Sequence, residues 1–159
     1  TATYNPKDGP NIWYLEINSS NKCNLKCRMC NGTVSSTWIK EEMQLAEMSP
    51  SWMPKRTIGK YSKLDFGIIK NVLEKKEYFK DLQFLKLTGG EPLMEDQNYQ
   101  LMEKFIEWNI AKNIMLDINT NGTFVNERLV NIVKHFKLVK LHISLEGTGA
   151  LYQYIRGAL

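Results

Sequence analysis

The stretch Trp13-Tyr14-Leu15-Glu16-Ile17-Asn18 alternates apolar and polar side chains and runs, four residues later, into Cys23-Asn24-Leu25-Lys26-Cys27-Arg28-Met29-Cys30. A period of two marks a strand. The loop after it gathers the only three cysteines of the chain within eight residues, and thiolates at that density select zinc, copper(I) or iron–sulfur clusters. Tetrahedral zinc or a four-iron cluster ordinarily takes a fourth protein ligand, and none stands nearby. A closed ligand set signals a structural metal, whereas three thiolates and a vacancy signal chemistry. The competing readings are a disulfide with a leftover thiol, a zinc site closed from afar by His135 or His142, and chance clustering. The tight spacing suits ligation better than a staple. No N-terminal apolar stretch suggests export, so a reducing cytoplasm is the expected compartment.

Outward from this loop, strands and helices alternate. The strands are expected at Asn11–Asn18, Leu82–Thr88, Ile114–Asn119 and Leu138–Ser144. A helix from Ser35 to Glu47 counts Trp38, Met43 and Leu45 among its apolar residues, and Ser49–Pro54 breaks it. Met43, Met48 and Met53 read as core or loop packing. A loop over Pro54–Ser62 precedes a second helix, Leu64–Phe79, with Phe66, Ile69, Val72 and Leu73 at helical spacing. Asp96–Ala111 is expected to start on an Asp96 cap and bury Leu101, Met102, Phe105 and Trp108. Asn126–His135 and Thr148–Arg156 complete the set. Strands separated by helices imply parallel βαβ units, so the predicted fold class is α/β: a partial (βα) barrel with a parallel sheet and about four βα units. Residues 1–10 read as an N-terminal extension and residues 11–159 as the core.

Strand parity sharpens the expectation. Each strand has an apolar face, for helices to cover, and a largely polar one. Glu16, Asn18, Lys86, Thr88, Asp117, Asn119, His142 and Ser144 fall on the polar side and are expected to share a lumen. Charges held there must be paired, with Glu16–Lys86 and Asp117–Lys140 as the candidate ion pairs. In β/α barrels the chemistry gathers at the C-terminal strand ends, where the cysteine loop falls.

Four further stretches stand in order behind the cysteines: Gly89-Gly90-Glu91-Pro92, Thr120-Asn121-Gly122-Thr123, Ser144-Leu145-Glu146-Gly147 and Tyr154-Ile155-Arg156-Gly157. With the C-x-x-x-C-x-x-C loop, they resemble the radical S-adenosylmethionine (SAM) superfamily over residues 11 to 157. The resemblance implies an enzyme in which Cys23, Cys27 and Cys30 hold a 4Fe-4S cluster whose remaining iron binds SAM. Reductive cleavage of SAM would then give a 5′-deoxyadenosyl radical that abstracts hydrogen from a substrate. Met29 stands where the family usually has an aromatic residue, and its thioether suits an adenine ring. Gly89 and Gly90 are expected to let backbone approach the ligand, and Glu91 to accept from the SAM ammonium group. Ser144 and Glu146 resemble contacts to its ribose or methionine portion. Arg156 is expected on its carboxylate, with Asn119 and Asn121 orienting SAM or substrate. Without the constellation, the glycine pairs read as ordinary turns, Glu91 and Glu146 as helix-start carboxylates and Arg156 as a solvated residue.

The resemblance also implies six βα units, two more than this chain supplies, so it is either a piece of a longer protein or a natural minimal version. The Ser-Leu-Glu-Gly and Tyr-x-Tyr-Ile-Arg-Gly forms resemble the branch that modifies peptides or proteins and carries auxiliary clusters in a C-terminal extension. A substrate of that class and an electron donor such as flavodoxin or ferredoxin are the implied partners. An iron–sulfur or zinc protein that never cleaves SAM is the alternative.

Composition agrees with a globular domain: 159 residues, 43% hydrophobic and 24% charged. No run is apolar enough to span a membrane. A net charge of +4 is too mild to mark a nucleic-acid binder, even with Lys55, Arg56, Lys60 and Lys63 beside Trp52 and Tyr61.

Overall fold

A computed structural model describes residues 11–48, 51 and 68–157. The proposed N-terminal extension, Met53, most of the helix-breaking Ser49–Pro54 stretch, the Pro54–Ser62 loop and the basic stretch with Trp52 and Tyr61 lie outside the described residues. So does the start of the second predicted helix.

Four strands, β1 (Tyr14–Asn18), β2 (Phe84–Thr88), β3 (Met115–Thr120) and β4 (Leu138–Ile143), form one parallel sheet in chain order. The helices are α1 (Ile39–Met48), α2 (Ile68–Leu73), α3 (Asp96–Glu107), α4 (Glu127–Val133) and α5 (Gly149–Arg156). This is the expected α/β partial barrel. Leu85, Leu87, Leu116 and Ile118, on the apolar face of the two central strands, are completely buried, each contributing about 1.5–3 kcal/mol of transfer free energy. The i, i+3, i+4, i+7 stripe of α3 supplies Asn98, Leu101, Met102 and Phe105 to that core, and Phe105 meets Phe79 with ring centres 5.7 Å apart.

Several expectations are corrected. The second helix ends early: α2 stops at Leu73, and a 3-10 turn follows at Lys76–Phe79. Asp96 is the first helical residue rather than the cap. Glu95 occupies the cap position, and its carboxylate accepts from Ser20 Oγ at 2.8 Å instead of capping. Met43, Leu45 and Met48 are exposed, because Ala46 is the residue α1 buries. Trp13 precedes β1 and is exposed as well. On the polar face Glu16 pairs with Lys86, but Asp117 takes His142 Nε2 at 3.2 Å rather than Lys140. Asn119 is the residue in register with His142, so this bond runs diagonally between neighbouring strands. Finally, among the described residues the apolar face of β4 is covered only at Val139: Leu141 is 43% and Ile143 57% exposed.

Candidate functional site

The three cysteines lie on the loop between β1 and α1, and the local sequence explains its shape. Ser35 Oγ and Thr37 Oγ1 both donate to the carbonyl of Leu25 at 2.8 Å, and Trp38 Nε1 donates to that of Cys27 at 2.9 Å. Ser36 N bonds to Asn21 O and Cys30 N to Cys27 O. The small polar run Ser35-Ser36-Thr37 therefore satisfies loop carbonyls that no sheet or helix would reach.

Three other loops clamp this one. After β2, Gly90 N donates to Ser20 O and Glu91 N to Lys22 O. A Cβ on Gly89 (φ +125°) would stand 2.6 Å from Ser20 O, and one on Gly90 would collide with Lys22 O. Both glycines thus admit the backbone of the cysteine loop, a nearer reason than the ligand approach expected from sequence. After β3, Asn121 Nδ2 bonds to Asn24 Oδ1 at 2.9 Å and Asn24 Nδ2 to Thr123 Oγ1 at 2.9 Å. At the end of α5, Arg28 N donates to Ile155 O, and Gly157 (φ +58°) packs against the Lys26 carbonyl.

Glu91 lies beneath these loops at 1% exposure. Its carboxylate accepts from Leu93 N at 3.1 Å, Thr120 Oγ1 at 2.7 Å and Asn121 N at 2.7 Å. It caps the 3-10 turn Pro92–Met94, as the helix-start reading anticipated, and joins the ends of β2 and β3. Arg156 is 7% exposed, not solvated. Its Nε and Nη2 grip both carboxylate oxygens of Glu146, and Nη1 reaches Cys27 Sγ at 3.4 Å.

The loops enclose a cavity of about 160 Å³ lined by the three cysteines, Gly89, Gly90, Asn119, Ser144 and Arg156, with Val34, Thr120 and Asn121. Of the residues expected in the site, Glu91 is buried behind this lining, whereas Glu146 and Met29, both exposed, are not part of it. Asn119 and Ser144 are the two members of the predicted polar lumen that reach it. Sequence reasoning missed Thr120 as a partner of Glu91 and the Ser35–Trp38 brace. Thr120 opens the Thr120-Asn121-Gly122-Thr123 motif, whereas nothing in the brace's composition sets it apart.

The donor set fits an iron–sulfur cluster. All three thiols are free. Leu25 N and Asn121 Nδ2 approach Cys23 Sγ at 3.5 and 3.9 Å, and Arg156 approaches Cys27, placing N–H groups around sulfur as thiolate ligands require. Burial pushes the Cys30 thiol up, and neighbouring Cys27 adds to it. Three thiolates this crowded need a cationic centre among them. Neither histidine lines the cavity: His142 is held by Asp117, and His135 is exposed just past α4, at the opposite end of the sheet. Among the described residues, no three His, Cys, Asp or Glu side chains are grouped to hold a single metal ion.

Comparison with known families matches residues 17–157 to the model of the Radical SAM superfamily. The chain belongs to the radical SAM superfamily. It is 26% identical over 139 residues to a GTP 3′,8-cyclase of Aliarcobacter butzleri, covering 87% of this chain and 36% of that protein. A GTP 3′,8-cyclase of Sulfurimonas denitrificans is 24% identical over 135 residues, 84% of this chain and 34% of the relative. An uncharacterized protein of Methanocaldococcus jannaschii is 25% identical over 138 residues, 84% of this chain and 38% of that protein. The chain thus spans little more than a third of the length of these relatives. No solved structure matches it. Among the described residues no helix is long and apolar enough to cross a membrane.

Proposed function

We propose that this chain is the cluster- and SAM-binding core of an enzyme that cleaves SAM reductively and abstracts hydrogen from a substrate. The observation that carries the reading is the gathering of Cys23, Cys27 and Cys30 around one cavity that Gly89, Gly90, Asn119 and Ser144 also line. Three thiolates would hold a 4Fe-4S cluster and leave one iron for the amine and carboxylate of SAM. When bound and reduced, such a cluster would supply the single electron for cleaving a carbon–sulfur bond of SAM, giving methionine and the 5′-deoxyadenosyl radical that would take a hydrogen atom from the substrate.

The chain's own residues bind and orient. Gly89 and Gly90 present backbone to the cavity, and Ser144 and Asn119 offer polar groups to the ribose or methionine portion. Met29, beside Cys30 and exposed, is inferred from the family resemblance to lie on adenine. Glu91 seats Thr120 and Asn121, and so acts on SAM through the loop it holds rather than by contact. The electron is inferred to come from a carrier of the flavodoxin or ferredoxin kind. For the substrate, the Ser144–Gly147 and Tyr152–Gly157 pattern supports a peptide or protein, and the names of two relatives support GTP.

The test is anaerobic reconstitution of the protein containing this chain, then reduction with SAM and assay of 5′-deoxyadenosine, with GTP or peptides as hydrogen donors. The expected result is product from the wild type and none from Cys23→Ala, Cys27→Ala or Cys30→Ala. Equal product from a triple alanine variant would refute the proposal.

A further inference from the structure

Arg156 is a buried charge that the reaction as outlined leaves without a task. Its fork is already taken: Nε and Nη2 hold the two oxygens of Glu146, and a bidentate pair fixes the plane of the guanidinium. The remaining nitrogen, Nη1, is thereby aimed at Cys27 Sγ, 3.4 Å away. Cys27 is the one buried thiol of the three. The contact is held from both sides. On the loop side, the Cys27 carbonyl accepts from Trp38 Nε1 and Cys30 N. On the helix side, Ile155 O accepts from Arg28 N at 2.9 Å, and Tyr154 O from Arg28 Nε at 2.8 Å. Neither side is free to swing away without breaking backbone hydrogen bonds.

We infer, on the cluster reading above, that Arg156 is a positioning residue that raises the reduction potential of the cluster through the sulfur of Cys27, with Glu146 orienting it. Hydrogen bonds to the ligating sulfurs and the local net charge are the protein's means of setting such a potential. A guanidinium beside the thiolate favours the added electron. The carboxylate of Glu146 opposes it while holding the guanidinium in place, so changes at the two residues have opposite signs.

The experiment is an EPR-monitored redox titration of the anaerobically reconstituted protein without SAM, alongside its iron content. Arg156→Gln should lower the potential by at least about 59 mV, a tenfold change in a one-electron equilibrium. Arg156→Lys should fall between it and the wild type. Glu146→Gln, which keeps the cation and removes the anion, should raise the potential. A residue engaged only with the SAM carboxylate would leave all four potentials equal, and that result would overturn the inference. Should Arg156→Gln fail to hold iron, the other two variants decide: a rise with Glu146→Gln supports it, and unchanged potentials in both reject it. A wild type that holds no cluster would reject the proposed function itself and this inference with it, whereas a full cluster with unmoved potentials rejects the inference alone.

Discussion

Glu91 and Gly90 show how the motif residues act here, by holding the loops around the cysteines. Glu91→Gln replaces one carboxylate oxygen with an amide nitrogen that cannot accept, so either Asn121 N, or both Leu93 N and Thr120 Oγ1, which share the other oxygen, lose their acceptor. The expected cost is about 1–3 kcal/mol, read as a lower denaturant midpoint for the metal-free chain. An unchanged midpoint would remove Glu91 from the brace. Gly90→Ala pushes a methyl into the carbonyl of Lys22. Backbone cannot yield as a side chain can, so the variant should retain well under half of the wild-type iron although all three thiols remain. Full retention would show that the close approach is dispensable. The sequence made these residues conspicuous but not their partners. Gly-Gly-Glu-Pro is legible as a turn with a carboxylate, yet that the carboxylate looks inward to Thr120 depends on strand order and register, which no local pattern carries.

At the level of elements, strand parity and the α3 stripe were readable because period reports burial directly. Leu85, Leu87, Leu116 and Ile118 are buried as their alternation requires. The failures are tertiary. Met43 and Leu45 are apolar on a helix that buries only Ala46, and the partner of Asp117 was settled by the diagonal reach of His142 rather than by the strand neighbour Lys140. Capping failed at Asp96, which instead joins Glu103 on Arg128 of α4, tying α3 to α4. Hydrogen bonds from Arg128 hold both carboxyls below their ordinary 3.8 and 4.5. A depressed folded-state value gives stability that is present above the unfolded value and lost as pH falls through the folded one. Arg128→Ala should therefore destabilise the chain at neutral pH, by no more than about 1 kcal/mol because the pairs are exposed. The difference from wild type should shrink as pH falls below the ordinary carboxyl values and vanish once it has passed through the depressed ones. A gap that persists in acid would mean that Arg128 acts through its packing over the Tyr99 ring, 4.8 Å away, instead of through charge.

In the whole molecule, the motif loops meet at one end of a four-stranded sheet whose last strand, β4, pairs only with β3 among the described residues. Leu138, Leu141 and Ile143 leave that edge apolar and exposed, and such an edge invites pairing with another chain. The isolated 159-residue chain should self-associate, and Leu141→Lys should suppress this in light scattering. Association that survives the charge would place the contact elsewhere. The fold class and the grouping of the three thiols around one cavity were legible because each rests on local spacing, whereas the clasp of Arg156 on Cys27 joins residues 129 positions apart. What remains central is the proposal that the three thiolates would leave one iron open for SAM, which separates an enzyme core from a protein that binds a cluster for structure or electron transfer. The direct measurement is the EPR spectrum of the reduced, reconstituted protein before and after SAM is added. The account predicts that SAM changes the cluster signal and that Cys23→Ala, Cys27→Ala and Cys30→Ala abolish the signal. A cluster signal that forms fully and is indifferent to saturating SAM would contradict it.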